Sequence, residues 1–305
     1  MTVEAAYARL LKALSGEVHR DEPMARHTSF RIGGPADLYI VCDTVADVAL
    51  ATEVLAAEDV PMTVLGKGTN VLVADAGYRG AVVVLGKEFR RHVVKDDALQ
   101  AGAACILAYL VRDAFSQGLA GLEFAVGVPG TLGGALAMNA GTRDAWMGGI
   151  TESVTIYAPG VGLQRLRGAE IPWGYRTSGL PARGVVLEGV LQLRPAERIA
   201  IQVAMERSLR RRKESQPLGM PSAGSVFVNP EGEAAGRLIE SAGLKGLRLG
   251  GARVSDVHAN FIVNDGGATA AHVVGLISKV RTTVRDRHGI ELRPEIRFLG
   301  EFREP

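Results

Sequence analysis

A glycine-rich stretch, residues 118–149, interrupts an otherwise regular succession of elements and limits what can be built around it. Glycine carries no Cβ, so its backbone takes left-handed conformations and lets other groups approach closely. Such a segment suits a loop at a ligand or a tight packing contact better than a long central helix. Before it, apolar patterning predicts strands at 37–41, 62–65 and 81–85, with helices from 45 to about 58 and over 106–117. After it come strands at 154–157 and 184–193, a basic helix at 199–213, and a short strand at 225–228. A helix at 234–242, a strand at 260–264, a helix at 268–287 and a last strand at 292–298 complete the chain. Strands and helices mix without a strict βαβ rhythm, which predicts an α+β fold. The 305 residues suffice for two or three domains, and the change of texture near Pro195 is the expected boundary.

Several function classes fall away on composition. Net charge is +2 and aromatic residues are 5% of the chain, so neither a concentrated basic face nor stacking platforms for nucleic acid are expected. Cys42 and Cys105 stand alone and the six histidines never fall at metal-ligand spacing, so no disulfide framework or metal site is expected. Residues 1–16 repeat Tyr7, Leu10, Leu11 and Leu14 at helical spacing with charges between, which predicts an amphipathic helix and not a signal peptide. No apolar run approaches the ~20 residues of a membrane span. The expectation is a soluble, cytoplasmic monomer with no membrane partner.

Two glycine segments suggest chemistry. Gly66-Lys67-Gly68-Thr69-Asn70-Val71 follows a predicted strand, and its backbone N–H groups can converge on phosphate oxygens. It is not a dinucleotide fingerprint, because Val71 stands where the third glycine belongs. It is not a P-loop either, because Lys67 precedes Gly68. On spacing alone a tight turn fits as well as a phosphate cradle. The second segment, Gly127 to Ala135 followed by Asn139-Ala140-Gly141, sets Pro129, Gly130, Thr131, Gly133 and Gly134 in an apolar background. It suits either the wall of a flat ligand or a glycine-lined packing contact.

These segments, with Tyr175-Arg176-x-Ser178, Gly224-Ser225-Val226-Phe227 and Pro294-Glu295, stand in the order found in UDP-N-acetylenolpyruvoylglucosamine reductases, which the chain resembles. Thr28-Ser29-Phe30 with Gly33-Gly34-Pro35-Ala36 and the segment 250–261 extend the match over roughly residues 24 to 300. The resemblance implies a vanillyl-alcohol-oxidase-type (PCMH-type) FAD-binding module plus a C-terminal α+β substrate-binding domain. Its expected segments are 1–60, joined by a C-terminal strand at 293–305, then 61–196, and a substrate domain at 197–292. It implies non-covalent FAD held by residues 66–71 and by Gly127, Pro129, Gly130, Thr131, Gly133, Gly134, Asn139, Ala140 and Gly141. It implies NADPH as electron donor, sharing one cleft in turn with a UDP-sugar substrate.

The implied catalytic residues are Arg176, Ser225 and Glu295, meeting at the flavin. Hydride arriving at the terminal enolpyruvyl carbon leaves negative charge on the neighbouring carbon and its carboxylate. Arg176 suits that charge, Glu295 is expected to stay protonated by burial and donate to it, and Ser225 is expected to protonate the carbon. Tyr175, Asn229 and Lys245 are the implied substrate contacts, while His258 and the basic run at 207–213 are read as structural. Thr69 and Val228 depart from the family's usual residues, and the segment between Ser178 and Ser225 is too short for the tyrosine-bearing loop of one branch. Two rivals remain: a flavin-dependent oxidase of the same fold, and a non-catalytic nucleotide-sugar-binding protein.

Overall fold

The computed structural model describes residues 2–302, so Met1 and positions 303–305 of the expected C-terminal strand lie outside the described residues. The chain forms two compact units. The first takes the residues through Arg20, Leu38–Lys67 and Gly80–Arg211, and the second Asp21–Asp37, Gly68–Arg79 and the chain from Arg212 onward. They divide the chain at other places than the expected segments.

The first unit holds a five-stranded antiparallel sheet in the order Gly162–Arg167, Thr151–Ala158, Val185–Gln192, Ala98–Gly102, His92–Lys95. Val185–Gln192 is apolar on both faces because it lies between two cores. Val185 and Leu187 join Leu38, Ile40, Val48 and Leu55, whereas Val186 and Leu191 join Leu110, Leu132, Leu136 and Ile156. Successive side chains of a strand point to opposite faces, so the consecutive apolar residues Val185-Val186-Leu187 are what such a strand requires. A four-stranded sheet orders Glu17–Pro23, Pro35–Cys42, Tyr78–Leu85 and Met62–Val64, the last pairing parallel with Tyr78–Leu85. The first helix, Val3–Ala13, buries Ala6 and Leu10 but leaves Leu11 exposed, so its packed face is narrower than the spacing of leucines suggested.

The helix Val45–Ala57 begins with a capping box in which Thr44 accepts from the Asp47 N–H. The Asp47 carboxylate is buried and accepts from Ser15 N (2.8 Å), Ser15 Oγ (2.6 Å), Asp43 N (2.9 Å) and Thr44 N (3.0 Å). Burial alone would push its pKa up, but the hydrogen bonds from Ser15, Thr44 and Asp43 outweigh this and hold it below the ordinary aspartate range. A carboxyl whose folded pKa is depressed stabilises above its unfolded pKa, and that contribution is lost as pH falls through the folded value. Asp47→Asn should therefore cost about 1.5–3 kcal/mol at neutral pH, the range for hydrogen bonds to a charged group. The gap from the parent should close on acidification. Urea unfolding at neutral and acid pH measures both, and a gap independent of pH would assign the loss to packing.

The second unit holds a four-stranded antiparallel sheet in the order Ser222–Ser225, Phe261–Asn264, Ala252–Val254, Arg248–Leu249. The helix Ala270–His288 lays Val273, Leu276, Ile277, Val280 and Val284 into this unit's core. Each side chain so buried stabilises by about 1.5–3 kcal/mol. Its N-terminus is capped twice: Thr269 accepts from His272 N, and the Asp75 carboxylate accepts from Ala270 N (2.7 Å) and Ala271 N (2.9 Å). An anion at a helix start satisfies N–H groups that have no partner within the helix. Val71–Val73 pairs parallel with Arg297–Leu299.

Two predicted strands shift. The one expected at 225–228 is Ser222–Ser225, because the small residues pair with Phe261–Asn264 and the next three are held in another way. The one expected at 292–298 shortens to Arg297–Leu299, since Pro294 brings no N–H to a ladder.

Candidate active site

In the second unit, the strand bearing Ser225 is bulged. Ser222 pairs with Val263 and Ser225 with Phe261, so one strand carries an extra residue, and Gly224 takes φ +78°. A bulge of this kind re-aims the side chain that follows it. Beyond Ser225 the chain is gripped on two sides. On one side Val226 N donates to the Asn260 carbonyl (2.8 Å). The Asn260 side chain takes both backbone groups of Phe227, with Oδ1 accepting from its N–H (2.9 Å) and Nδ2 donating to its carbonyl (2.8 Å). On the other side Glu295 N donates to the Val226 carbonyl (2.7 Å) and Val228 N to the Arg293 carbonyl (2.9 Å). The structure therefore brings Ser225 and Glu295 to neighbouring positions, although 70 residues of sequence separate their numbers. Glu295 is partly buried.

The loop Thr69–Asn70 joins the same place. Asn70 Nδ2 donates to the Glu295 carbonyl (3.3 Å) and Arg297 N to the Asn70 carbonyl (3.0 Å). Ser29 ties this loop to the serine strand: its N–H and Oγ reach the Gly68 carbonyl, and Oγ lies 2.6 Å from the Ser222 carbonyl. Sequence reasoning placed Ser29 in a motif but gave it no role, because a hydroxyl that serves two distant carbonyls leaves no local signal. Of the expected substrate contacts, Asn229 is exposed and accepts from Ala235 N (3.0 Å), while Lys245 pairs with Glu240 at 2.7 Å. His258 Nδ1 accepts from Asn260 N (3.1 Å), and its ring packs on Phe261. Burial, reinforced by Lys245, lowers the His258 pKa and favours the neutral ring that this bond needs.

In the first unit, Arg176 sits in a tight turn closed by Gly174 and Thr177, with φ +57°. Its guanidinium lies 5.1 Å from the Tyr175 ring, and Nη1 donates to the Gly141 carbonyl at 3.2 Å. Tyr175 is exposed, and Ser178 is fully buried with Oγ donating to the Ala137 carbonyl (3.0 Å). Asn139 clamps the Arg176 turn: Nδ2 donates to the Gly174 carbonyl (2.9 Å), and Oδ1 accepts from Gly148 N (2.9 Å). Its amide, expected beside a cofactor, is spent on holding two loops.

The glycine run divides its work. Gly133 is a packing residue, since a Cβ there would lie 2.8 Å from Ala103 Cβ. Gly134 is exposed, and its N–H caps onto Thr131 Oγ1 (3.3 Å). Gly127, at φ +69°, and Pro129 are exposed; Gly130, at φ +140°, gives its carbonyl to Leu107 N. Ala140 is held by Ala135 and Met147, and Gly141 abuts Trp146. Gly66 faces Thr131, whose Oγ1 would lie 2.7 Å from any Cβ.

Gly68 in the second unit takes φ +59°, and a Cβ there would lie 2.2 Å from the His27 carbonyl oxygen. The N–H groups of Gly66, Lys67 and Gly68 donate to nothing among the described residues. Successive undonated N–H groups beside glycines that admit no side chain fit the phosphates of a dinucleotide cofactor. Among the described residues no group of three or more His, Cys, Asp or Glu side chains is placed to hold a metal ion, and no helix is long and apolar enough to cross a membrane.

Comparison with known proteins bears on both units. A profile described as FAD binding domain matches residues 36–158, and one described as UDP-N-acetylenolpyruvoylglucosamine reductase, C-terminal domain, matches residues 216–299. The UDP-N-acetylenolpyruvoylglucosamine reductase of Heliobacterium modesticaldum is 45% identical over 295 residues, covering 96% of this chain and 94% of that protein. That of Bacillus velezensis is 41% identical over 287 residues, covering 93% and 95%. The crystal structure of the Thermus caldophilus reductase superposes with a TM-score of 0.82 at 36% identity, over 93% of this chain and 99% of that one.

Proposed function

The chain belongs to the UDP-N-acetylenolpyruvoylglucosamine reductase family, and from that premise we propose how its own residues carry the family's reaction. It is an FAD- and NADPH-dependent enzyme that reduces the enolpyruvyl ether of UDP-N-acetylglucosamine to UDP-N-acetylmuramate, a peptidoglycan precursor. When bound, FAD would supply the hydride chemistry between NADPH and the enolpyruvyl group. The backbone of Gly66, Lys67 and Gly68 would hold the cofactor's phosphates, and Gly127, Pro129, Gly130 and Gly134 would line the cofactor.

The remaining chemistry belongs to side chains. The Arg176 guanidinium meets the substrate carboxylate, a permanently charged planar fork against a planar anion. The Ser225 hydroxyl gives its proton to the carbon next to that carboxylate, and the Glu295 carboxyl group supports the charge that builds up there. The observation that supports the Ser225 and Glu295 roles is the bond from Glu295 N–H to the Val226 carbonyl, which holds the backbone of Glu295 against the residue after Ser225. Tyr175, Asn229 and Lys245 contact the UDP-sugar, and NADPH takes its turn in the same cleft. Between Ser178 and Ser225 the helices Leu180–Arg183 and Arg198–Ser215 and the strand Val185–Gln192 take up most of the chain, which supports the branch without the tyrosine-bearing loop. We assign the enzyme to the cytoplasm as a monomer; two buried, unpaired cysteines suit a reducing compartment.

Beyond the single equivalent that reduces the bound flavin, sustained NADPH oxidation by the purified yellow protein should require the enolpyruvyl UDP-sugar. Oxidation that proceeds without it and consumes oxygen would favour the oxidase reading. A colourless protein indifferent to added flavin would remove the assignment altogether.

A further inference from the structure

One residue of the second unit is used more fully than any local rule demands. Where the strand Ser222–Ser225 ends, Phe227 continues without a neighbouring strand on the Asn260 side, yet both its backbone groups are paired there by one side chain. Asn260 is 3% exposed, and its carbonyl also takes the Val226 N–H, so it holds two consecutive residues after Ser225. The opposite edge of the same two residues is held by the Glu295 N–H on the Val226 carbonyl and by a bridge from Phe227 to Pro294. Val226–Phe227 is thus the shared spacer between Ser225 and Glu295, and Asn260 sets its position from the other side. Only an amide does this, because it presents a donor and an acceptor side by side. Asn260 is itself oriented by its N–H to His258 Nδ1.

We propose that Asn260, oriented by His258, is a positioning residue for the proton-transfer step, fixing the Ser225 hydroxyl and the Glu295 carboxyl in a common register. This rests on the reading of Ser225 as proton donor. Asn260→Asp keeps the acceptor and turns a carboxylate against the Phe227 carbonyl; Asn260→Ala removes both bonds. Misplacing a reacting group by ~1 Å costs about 10²-fold, so both variants should slow the substrate half-reaction by between ~10 and ~10²-fold, with the NADPH half-reaction unchanged. The solvent deuterium isotope effect on the slowed step should rise, because transfer from a misaligned hydroxyl becomes limiting. In the flavin-free chain, hydrogen exchange at the Phe227 amide should quicken in Asn260→Ala.

Parallel slowing of both half-reactions together with lost flavin retention would overturn the proposal in favour of a purely structural role. So would an unchanged substrate half-reaction in a folded variant. Should neither variant fold, His258→Gln carries the same measurements with a smaller expected effect, and unchanged rates there would likewise overturn it. Ser225→Ala measured alongside separates the two ideas. A slow Ser225→Ala with a normal Asn260→Ala removes the positioning role alone, and a normal Ser225→Ala removes the donor role and the positioning role with it.

Discussion

Ser225→Ala will slow the substrate half-reaction by ~10²–10⁴-fold, the range for losing a general acid, while the NADPH half-reaction keeps its rate. Stopped-flow absorbance resolves the two steps. The split is expected because the hydroxyl acts only after hydride reaches the enolpyruvyl group; NADPH oxidation has no proton for Ser225 to give. Geometry supports the assignment over a turn serine. The residue follows a bulge with Gly224 at φ +78°, and the chain after it is pinned by Asn260 and Glu295. A hydroxyl whose only task was to satisfy a turn would not need its neighbours held so closely. An alcohol is a weak acid, so its proton must move to a strongly basic carbon. The variant should therefore lose rate in the step that forms the carbon–hydrogen bond and not in substrate binding. Equal slowing of both half-reactions would remove Ser225 from the proton-donor role.

How much of this was legible in the sequence depended on the range of the signal. The helix Val45–Ala57 was readable because Thr44 and Asp47 cap it within four residues and its apolar side chains are local. The strand Val185–Gln192 was readable because it opens on three consecutive apolar residues, Val185-Val186-Leu187, that are buried on both faces. The strands His92–Lys95 and Gly162–Arg167 escaped notice because they are short and bury no residue fully; their partners in the sheet define them, not their own residues. The strand Ser222–Ser225 was expected three residues later for a related reason, since Ser, Ala and Gly have weak strand preference and pairing with Phe261–Asn264 holds them extended.

The site divides along the same line. Gly66, Gly68 and the 127–141 run stood out as glycine clusters, and spacing left a phosphate cradle and a tight turn equally open. Ser225, Arg176 and Glu295 came only through the family resemblance, because a lone serine, arginine or glutamate in a loop carries no local mark of function. What no single sequence displays is the use of an amide at long range. Asn139 clamping Gly174 and Asn260 clamping Phe227 are contacts between residues more than thirty positions apart.

Arg176→Gly is the variant that separates strain from chemistry. Arg176 occupies φ +57°, a conformation that costs a residue with a Cβ about 1–3 kcal/mol. Glycine would occupy it freely, and its larger unfolded-state entropy would offset roughly 0.5–1 kcal/mol of that gain. The lost Nη1 bond to the Gly141 carbonyl and the lost contact with Tyr175 offset the remainder, so the flavin-free Arg176→Gly chain should melt close to the parent temperature. Its guanidinium is nonetheless placed with care: Nη1 on the Gly141 carbonyl, its plane near Tyr175, and its turn fixed by Asn139 on Gly174. Losing its charge should cost the substrate half-reaction ~10²–10³-fold, the range for removing one preorganised donor to a developing anion. Arg176→Lys should recover only part of this rate, because a point charge cannot reproduce two parallel hydrogen bonds to a carboxylate. Full activity in Arg176→Lys would reduce the role to bulk charge. Full activity in Arg176→Gly would mean that the strained turn serves another end and that the carboxylate is held by other groups.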